Sequence, residues 1–166
     1  MPRVIQVLGD DISTDHIYPG RYMATVLPSE TPQFCFADMK EFNAALRENK
    51  YPQGSIIVGG SNFGCGSSRE QAASTINGYG ITVVAPSFAR IFMQNAVNLG
   101  LPLVICPRIE ASEGDDIEIK DDMLVNHSTG KSFEIVPLPK LRQLIMDSGG
   151  LIAYTRRLVK ERMAAK

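Results

Sequence analysis

The sequence has few of the residues that bind metals or form disulfides. It contains two histidines, His16 and His127, and three widely spaced cysteines at positions 35, 65 and 106, with no C-x-x-C pair. Neither a disulfide framework nor a zinc site is indicated by such spacing, so the cysteines are expected to be buried, reduced thiols. We therefore expect this chain to bind no metal by itself, and any metal chemistry must come from elsewhere.

Excess charge and long apolar runs are also missing. Seventeen Lys and Arg residues balance eighteen Asp and Glu residues, which gives a formal net charge of −1. This balance disfavours broad attraction to nucleic acid or to an anionic membrane, and favours a small-molecule substrate. No apolar run approaches the roughly 20 residues needed to span a bilayer, and the N-terminus does not resemble a signal peptide. We expect a cytoplasmic protein with no nucleic-acid or membrane partner.

The length and composition predict one domain that covers residues 1–166. A chain of 166 residues with 44% hydrophobic residues is long enough to bury a core of ordinary size. The first part predicts a strand at 3–8, a polar loop at 10–20 and a helix at 36–48.

The central part of the sequence predicts a parallel sheet. Compact apolar segments at 55–60, 81–85 and 101–106 are typical of buried strands, and they alternate with two segments of helical periodicity, at 67–78 and 88–99. Gly100 is placed to end the second helix. Two consecutive β-α-β units imply parallel strands with right-handed connections.

The last third of the sequence changes character. Segments at 115–120, 122–126 and 131–136 alternate apolar and polar residues, which predicts a small antiparallel sheet. Helices are predicted at 138–147 and 150–163, separated by Gly149 and Gly150. The predicted class is therefore α/β, with both parallel and antiparallel strands in one domain.

A glycine-rich turn, GGSNFGCGSSREQA at 59–72, carries the strongest chemical signal. Gly64 and Gly66 let a ligand approach the main chain closely, and Ser67 and Ser68 are predicted in the first turn of the following helix. Unpaired amides at a helix start favour an anion, and Arg69 can add a bidentate contact to a carboxylate. The same donors could stabilise a serine alkoxide that removes a carbon-bound proton.

More than one interpretation of this turn stays open. Ser67 could merely cap the helix while the glycines turn the chain, and the site could belong to a non-catalytic anion-binding regulatory module. The turn is not a Walker loop, because the G-K-[ST] ending is missing, and it is not the G-x-S-x-G motif. A Ser-His-Asp hydrolase is hard to assemble from the two histidines.

Two further segments hold candidate residues. The loop DDISTDHIYPGRYM at 10–23 places Asp15 beside His16, a pair that is more often a turn hydrogen bond than a catalytic dyad. The helix at 88–99 is mostly a core helix, with Asn95 among the polar residues available to loop carbonyls.

Three segments together resemble one family. NFGCGSSREQA at 62–72, SFARIFMQNAVNLGLP at 87–102 and DDISTDHIYPGRYM at 10–23 are similar to the aconitase family of hydro-lyases, and within it to the small subunits of 3-isopropylmalate dehydratase. The order and spacing match over nearly the whole chain, and GGLIAYTRRL near the C-terminus resembles the closing helix of that family.

The resemblance implies a swivelling β/β/α three-layer domain with a mixed sheet and a parallel β-α-β core. It implies a partner, a large subunit that carries a [4Fe-4S] cluster, with no cofactor bound by this chain and no activity without that partner. Ser67 is then the base that takes or returns a proton next to a carboxylate, while Ser68 and Arg69 bind substrate and Asp15 is an active-site aspartate. Dehydration and rehydration would isomerise 2-isopropylmalate and 3-isopropylmalate through isopropylmaleate, a reaction of leucine biosynthesis.

The substrate is expected to contact the loop after Pro19. Tyr22, Met23, Ala24 and Thr25 offer mainly apolar surface, where homoaconitase-type relatives tend to have an arginine. An unpaired buried carboxylate costs several kcal/mol, so an isopropyl group is favoured. Gln71, where isopropylmalate enzymes usually have His, points instead to homoaconitase, and a hydro-lyase acting on dimethylmalate or citramalate is also compatible with the loop.

Overall fold

The computed structural model describes residues 1–165 and contains two β-sheets and a layer of helices; Lys166, where the predicted domain ends, lies outside the described residues. The strands are β1 (Val4–Val7), β2 (Ile56–Val58), β3 (Thr82–Ala85), β4 (Leu103–Ile105), β5 (Ile117–Lys120), β6 (Met123–Asn126) and β7 (Lys131–Glu134). The helices are α1 (Thr14–Ile17), α2 (Lys40–Arg47), α3 (Glu70–Asn77), α4 (Arg90–Leu99), α5 (Lys140–Asp147) and α6 (Leu151–Ala164). Short 3-10 helices occupy Gly20–Tyr22 and Thr31–Phe34.

The first sheet is parallel and follows chain order, β1-β2-β3-β4. The pairs Ile57 with Val83 and Val84 with Val104 define its register, and helices α3 and α4 connect its last three strands. All three residues of β2 are buried, as expected for a strand that is covered on both faces. The two predicted β-α-β units are confirmed.

The second sheet is antiparallel, in the order β5-β6-β7. A tight turn connects β6 to β7, and Leu124 pairs with both Ile119 and Phe133. Single antiparallel bridges, from Arg3 to Asp116 and from Ile105 to Val136, connect the two sheets.

The side chains of the parallel sheet point alternately into two apolar clusters. Ile57, Val83 and Ala85 pack against the helices, in a cluster that includes Phe92 of α4. The adjacent residues Ile56 and Val84 face the other way and pack against the antiparallel sheet, chiefly Ile117 and Leu124. Because side chains alternate across a strand, one sheet supports both layers. The α/β class and the β/β/α layering are confirmed.

Several helices begin later than the sequence pattern predicts. Helix α3 begins at Glu70 instead of residue 67, because Arg69 has a non-helical backbone (φ −58°, ψ 115°). Helix α2 begins at Lys40 instead of residue 36, since Phe36 adopts a left-handed conformation with φ +50°. The single turn α1 lies in a segment for which the sequence predicts a loop. A spacing of apolar residues does not reveal where the backbone leaves helical geometry.

Gly100 ends α4 in the left-handed region, with φ +77°. A Cβ atom at this position would lie 2.5 Å from the carbonyl carbon of Gly149, in the turn between α5 and α6. The backbone of that turn cannot yield as a flexible side chain can, so the absence of a side chain at position 100 lets α4 pack against the turn.

We expect Gly100→Ala to destabilise the fold more than a second glycine substitution with the same backbone strain. Gly130, in the β6–β7 turn, has φ +72° but nothing within 4 Å of an added Cβ. Gly130→Ala should therefore cost only the strain of about 1–2 kcal/mol, and Gly100→Ala should exceed it by at least about 1 kcal/mol because overpacking adds to it. Urea unfolding of both variants measures the difference; equal losses would contradict the packing account.

Candidate active site

The loops that follow β1, β2 and β3 lie side by side at the carboxyl edge of the parallel sheet. The backbone amide of Gly64 donates to the carbonyl of Ile12 at 2.7 Å, and that of Phe63 donates to Ser87 at 3.0 Å. The glycine loop is thus bonded to both of its neighbours. The carboxyl edge of an open α/β sheet is where such folds bind ligands.

Gly64 packs directly against α4. Its φ is +82°, and an added Cβ would overlap the ring of Phe92, which is 1% exposed. Phe92 is itself held between two other rings, at 5.5 Å from Phe63 and 6.3 Å from Phe88. Glycine is required here by both conformation and space, so the loop takes its shape from the core beneath it.

Ser67 is exposed at the end of this loop, before α3 begins, and the residue at the N-cap of α3 is Arg69. The hydroxyl oxygen of Ser67 lies 2.9 Å from Oγ1 of Thr14, and Oγ1 of Thr14 also accepts a hydrogen bond from the Ser67 amide at 3.1 Å. Beside Ser67 is an open hollow of about 530 Å³, lined by Gly64, Gly66, Ser67, Ala89, Arg90, Ile91 and Gln94. Because the N-cap of α3 is Arg69, the interpretation of Ser67 as a helix cap is wrong, and Ser67 is exposed beside this hollow.

Arg69 is held in place by the loop after β1. Its Nη1 donates to Oδ1 of Asp15 at 2.7 Å and to the carbonyl of Tyr18 at 3.1 Å. The guanidinium is only 20% exposed, and both of these bonds use one nitrogen. Oδ1 of Asp15 also accepts the amide of Gly20 at 2.8 Å. Asp15 thus joins Arg69 to the start of the loop expected to select the substrate.

The same bonds change the acidity of Asp15. The hydrogen bond from Arg69, followed by the one from the Gly20 amide, lowers the pKa of Asp15 below its ordinary value. Because the carboxylate is 65% exposed, solvent screens the pair and its contribution to stability is small. The pair therefore serves mainly to orient the arginine.

The backbone at Ser68 is fixed from α4. Nδ2 of Asn95 donates to the carbonyl of Ser68 at 3.2 Å, which confirms the prediction that a polar residue of this helix bonds a loop carbonyl. The Ser68 side chain is exposed. Ser67, Ser68 and Arg69 are each therefore held by a different contact.

The loop after Pro19 is held by Tyr18. The buried phenol donates to the carbonyls of Tyr22 and Thr25, each at 3.1 Å, and the ring of Tyr22 stacks on Phe34 with centroids 4.1 Å apart. Two of the residues predicted to bind substrate, Tyr22 and Thr25, are thus anchored through their backbone.

The exposed surface of this loop is apolar. Met23, Val26 and Leu27 are 50%, 63% and 54% exposed, and Ala24 is also exposed. Arg21 pairs with Asp38, donating from Nη1 at 3.3 Å and from Nη2 at 2.5 Å. Its guanidinium also lies over the ring of Tyr22, at 4.6 Å from the centroid.

Arg69 bonds directly to Asp15 and also to the carbonyl of Tyr18, while Ser67 bonds to Thr14. No sequence pattern singles out Thr14 or Tyr18 as a site residue. His16 forms no dyad with Asp15; its Nδ1 accepts the amide of Ser13 at 3.0 Å in the capping box of α1. The position of Thr14, directly before Asp15, is the one signal that could have drawn attention to it.

The described residues do not fit a metal centre. Within residues 1–165, no group of three or more His, Cys, Asp or Glu side chains is close enough to hold a metal ion. Cys35 and Cys106 are buried in different clusters, and burial raises the pKa of the Cys35 thiol to about 12. Among the same residues, no helix is long and apolar enough to cross a membrane.

Comparison with known proteins defines the class first. A family model described as the aconitase C-terminal domain matches residues 20–107, which include the glycine loop and the parallel strands β2, β3 and β4. The protein is therefore an aconitase-type domain.

Curated relatives then define the family. A 3-isopropylmalate dehydratase small subunit from Methanosarcina mazei is 42% identical over 93% of this chain and 95% of its own length. One from Aquifex aeolicus is 43% identical over 95% of this chain and 93% of its length. The crystal structure of 3-isopropylmalate dehydratase (LeuD) from Methanocaldococcus jannaschii matches with a TM-score of 0.84 and 38% identity, over 98% of this chain and 97% of that one. The chain belongs to the family of 3-isopropylmalate dehydratase small subunits, which confirms the resemblance found in the sequence.

The hydrogen bond from Arg69 predicts an acidic Asp15. Its pKa, followed by NMR of the side-chain carboxyl, should lie below the ordinary value of about 3.9 and should rise toward it in Arg69→Gln. Because the folded-state pKa is lowered, the pair contributes its small stabilisation fully above the unfolded-state pKa and loses it as the pH falls through the folded-state pKa.

Arg21→Gln is the matched control for this titration. It should raise the pKa of Asp38, whose carboxyl Arg21 keeps acidic, and leave that of Asp15 in place. An Asp15 pKa that is unchanged in Arg69→Gln would contradict the assignment.

Proposed function

We propose that this chain is the small subunit of a hydro-lyase that isomerises 2-isopropylmalate and 3-isopropylmalate through isopropylmaleate, and that Ser67 is its base. The observation that carries the proposal is an exposed serine, fixed through its hydroxyl and two residues along the loop from a fixed arginine, in a chain of this family. We also propose that residues 1–166 act as one swivelling domain.

Substrate binding is assigned to Arg69 and Ser68. Asp15 and Tyr18 hold the arginine through Nη1, which leaves the rest of the guanidinium for a substrate carboxylate. A planar guanidinium that is already oriented binds a carboxylate with two parallel hydrogen bonds and little further loss of side-chain entropy. The Ser68 hydroxyl, one residue away, adds a donor. Asp15 then acts in the site by orienting Arg69.

The proton transfer is assigned to Ser67. In the dehydration direction its alkoxide takes the proton from the carbon next to a bound carboxylate, and the C–H electron pair becomes the double bond as the neighbouring hydroxyl leaves. In hydration, the Ser67 hydroxyl returns the proton to carbon as water adds. A serine hydroxyl is ordinarily too weak an acid to ionise near neutral pH, so the site must stabilise the alkoxide by hydrogen bonds and nearby positive charge.

The remaining chemistry is assigned to a partner. The relatives are named as small subunits, which implies a large subunit. From the family resemblance we propose that this large subunit carries a [4Fe-4S] cluster, which would handle the hydroxyl. This assignment agrees with the donor set of the present chain, whose described residues do not fit a cluster.

The substrate is assigned from the loop after Pro19. Met23, Ala24 and Val26 expose apolar surface, and the nearest arginine in sequence, Arg21, is paired with Asp38. A substrate with a third carboxylate, such as homoaconitate, would meet no arginine or lysine on this loop other than the paired Arg21, whereas an isopropyl group would gain by burial. Gln71 remains the feature that favours homoaconitase.

Ser67→Ala should lower kcat of the complex reconstituted with a large subunit by about 10²–10⁴-fold, because it removes the base. Assembly, measured by size-exclusion chromatography, should be unchanged. The control is Ser61→Ala, which alters an exposed serine of the same loop and should retain full turnover. A non-catalytic anion-binding module predicts no effect at position 67, so unchanged turnover in Ser67→Ala would overturn the proposed role.

A second prediction concerns the choice of substrate. In the reconstituted complex, kcat/KM for hydration of isopropylmaleate should exceed that for homoaconitate by on the order of 10²-fold or more, given the cost of an unpaired carboxylate. Ala24→Arg should narrow this ratio by supplying a cation, while Ala24→Gln, which is polar but uncharged, should not. Faster turnover of homoaconitate by the unaltered chain would show that the isopropyl assignment is wrong. Assays with dimethylmaleate and citraconate test the dimethylmalate and citramalate activities in the same way.

A further inference from the structure

Thr14 lies directly beneath Ser67. Its side chain is 1% exposed, and its backbone amide donates to the carbonyl of Cys65 at 2.7 Å, within a parallel bridge between Ser13 and Cys65. The glycine loop and α1 are therefore fixed relative to each other at the point where the two hydroxyl groups meet.

The surroundings determine the direction of the hydrogen bond between the two hydroxyls. Oγ1 of Thr14 already accepts the amide of Ser67 at 3.1 Å, so one of its lone pairs is used. Thr14 begins α1 and has no carbonyl four residues back in the same helix to receive its proton. Within residues 1–165, the remaining hydrogen-bond partner of this hydroxyl is Oγ of Ser67, at 2.9 Å.

Ser67 has an acceptor for its proton that Thr14 lacks. Its side chain is exposed beside the hollow, so its own proton can point to water or to a substrate. A buried donor left without an acceptor is unfavourable, so the arrangement that satisfies both groups has Thr14 donating and Ser67 accepting. The Ser67 proton is then directed outward.

We propose that Thr14 is a positioning residue that donates a hydrogen bond to Ser67 Oγ and so stabilises its alkoxide. This inference rests on the proposed role of Ser67 as base. Thr14 keeps its proton throughout, and its bond strengthens when Ser67 is ionised because hydrogen bonds to charged acceptors are stronger than those between neutral groups. The bond also directs the proton of neutral Ser67 away from Thr14, toward the exposed side of the residue.

The first test uses Thr14→Val, which keeps the shape and removes the hydroxyl, in the reconstituted complex. We expect kcat to fall by on the order of 10²-fold, as for loss of one donor to a developing oxyanion, with KM nearly unchanged because Thr14 does not touch substrate. The rising limb of kcat against pH should move to higher pH, and Thr14→Ser should restore kcat to within a few-fold.

Thr75→Val is the matched control. Thr75 is also fully buried and donates its hydroxyl to a carbonyl, that of Thr31 at 2.8 Å, in the contact between α3 and a 3-10 helix. The Thr75→Val substitution should leave kcat and its pH dependence unchanged. A loss in Thr75→Val equal to that in Thr14→Val would mean that a buried threonine hydroxyl is needed for folding alone, and would overturn the proposal.

A second measurement needs neither partner nor turnover. The Ser67→Cys variant introduces a new thiol, whose rate of alkylation is measured against pH. After the alkylation of the unaltered chain is subtracted, this pH dependence gives the pKa of the new thiol. That pKa should be about one pH unit lower in Ser67→Cys alone than in Ser67→Cys combined with Thr14→Val, because the threonine donor favours the charged form. If valine at position 14 prevents folding, Thr14→Ala replaces it in both experiments.

The outcomes separate this inference from the function it rests on. If Ser67→Ala loses turnover but Thr14→Val keeps full kcat, the role of Thr14 is overturned and Ser67 is left as base. A thiol pKa that Thr14→Val does not shift would have the same consequence. Full turnover in Ser67→Ala would overturn both.

Discussion

The site depends on one set of backbone hydrogen bonds, those that continue the pairing of β1 and β2 beyond the end of the sheet. The amide of Gly60 donates to the carbonyl of Gly9. Further along the two loops, the amide of Gly64 donates to the carbonyl of Ile12, and the amide of Thr14 donates to the carbonyl of Cys65. Two loops that are far apart in sequence therefore run together for several residues. Each brings its own polar groups, and the backbone contact sets their distance before any side chain interacts.

Much of the fold was predictable because burial leaves a pattern in the sequence. Apolar segments such as SIIVGG and ITVVA identified the parallel strands, and the alternation in DDIEIK and KSFEIV identified the antiparallel sheet. The starts of the helices were not predictable in this way. Arg69 and Phe36 leave helical geometry where the Arg69 side chain bonds Asp15 and the Phe36 amide bonds the carbonyl of Ile17. The local pattern carries no trace of such contacts.

The candidate site was predictable as a set of residues and not as an arrangement. The family resemblance singled out Ser67, Arg69 and Asp15. In the structure Arg69 bonds Asp15 directly, Thr14 holds Ser67, and the Tyr18 carbonyl holds Arg69. Neither Thr14 nor Tyr18 belongs to an ionisable type with an evident role at neutral pH, and a threonine or a tyrosine carbonyl attracts no notice in a sequence. Their importance comes from the loop pairing, which brings residues more than fifty positions apart into contact.

The position of Asp15 has a consequence for how substrate binding and substrate choice are related. One carboxylate oxygen accepts from Arg69, which would bind the common carboxylate, and from Gly20, which starts the loop that would contact the variable group. Because that oxygen shares its charge between two donors, a shift of Arg69 toward a ligand changes the strength of the hydrogen bond that the Gly20 amide donates to Asp15. The loop surface beyond Gly20 can therefore vary in chemistry, as the exposed Met23 and Ala24 illustrate, while its starting point stays tied to the anion site. A site built in this way would accept different hydroxy acids by changes in a few loop residues, without rebuilding the serine and arginine to which we assign the shared chemistry.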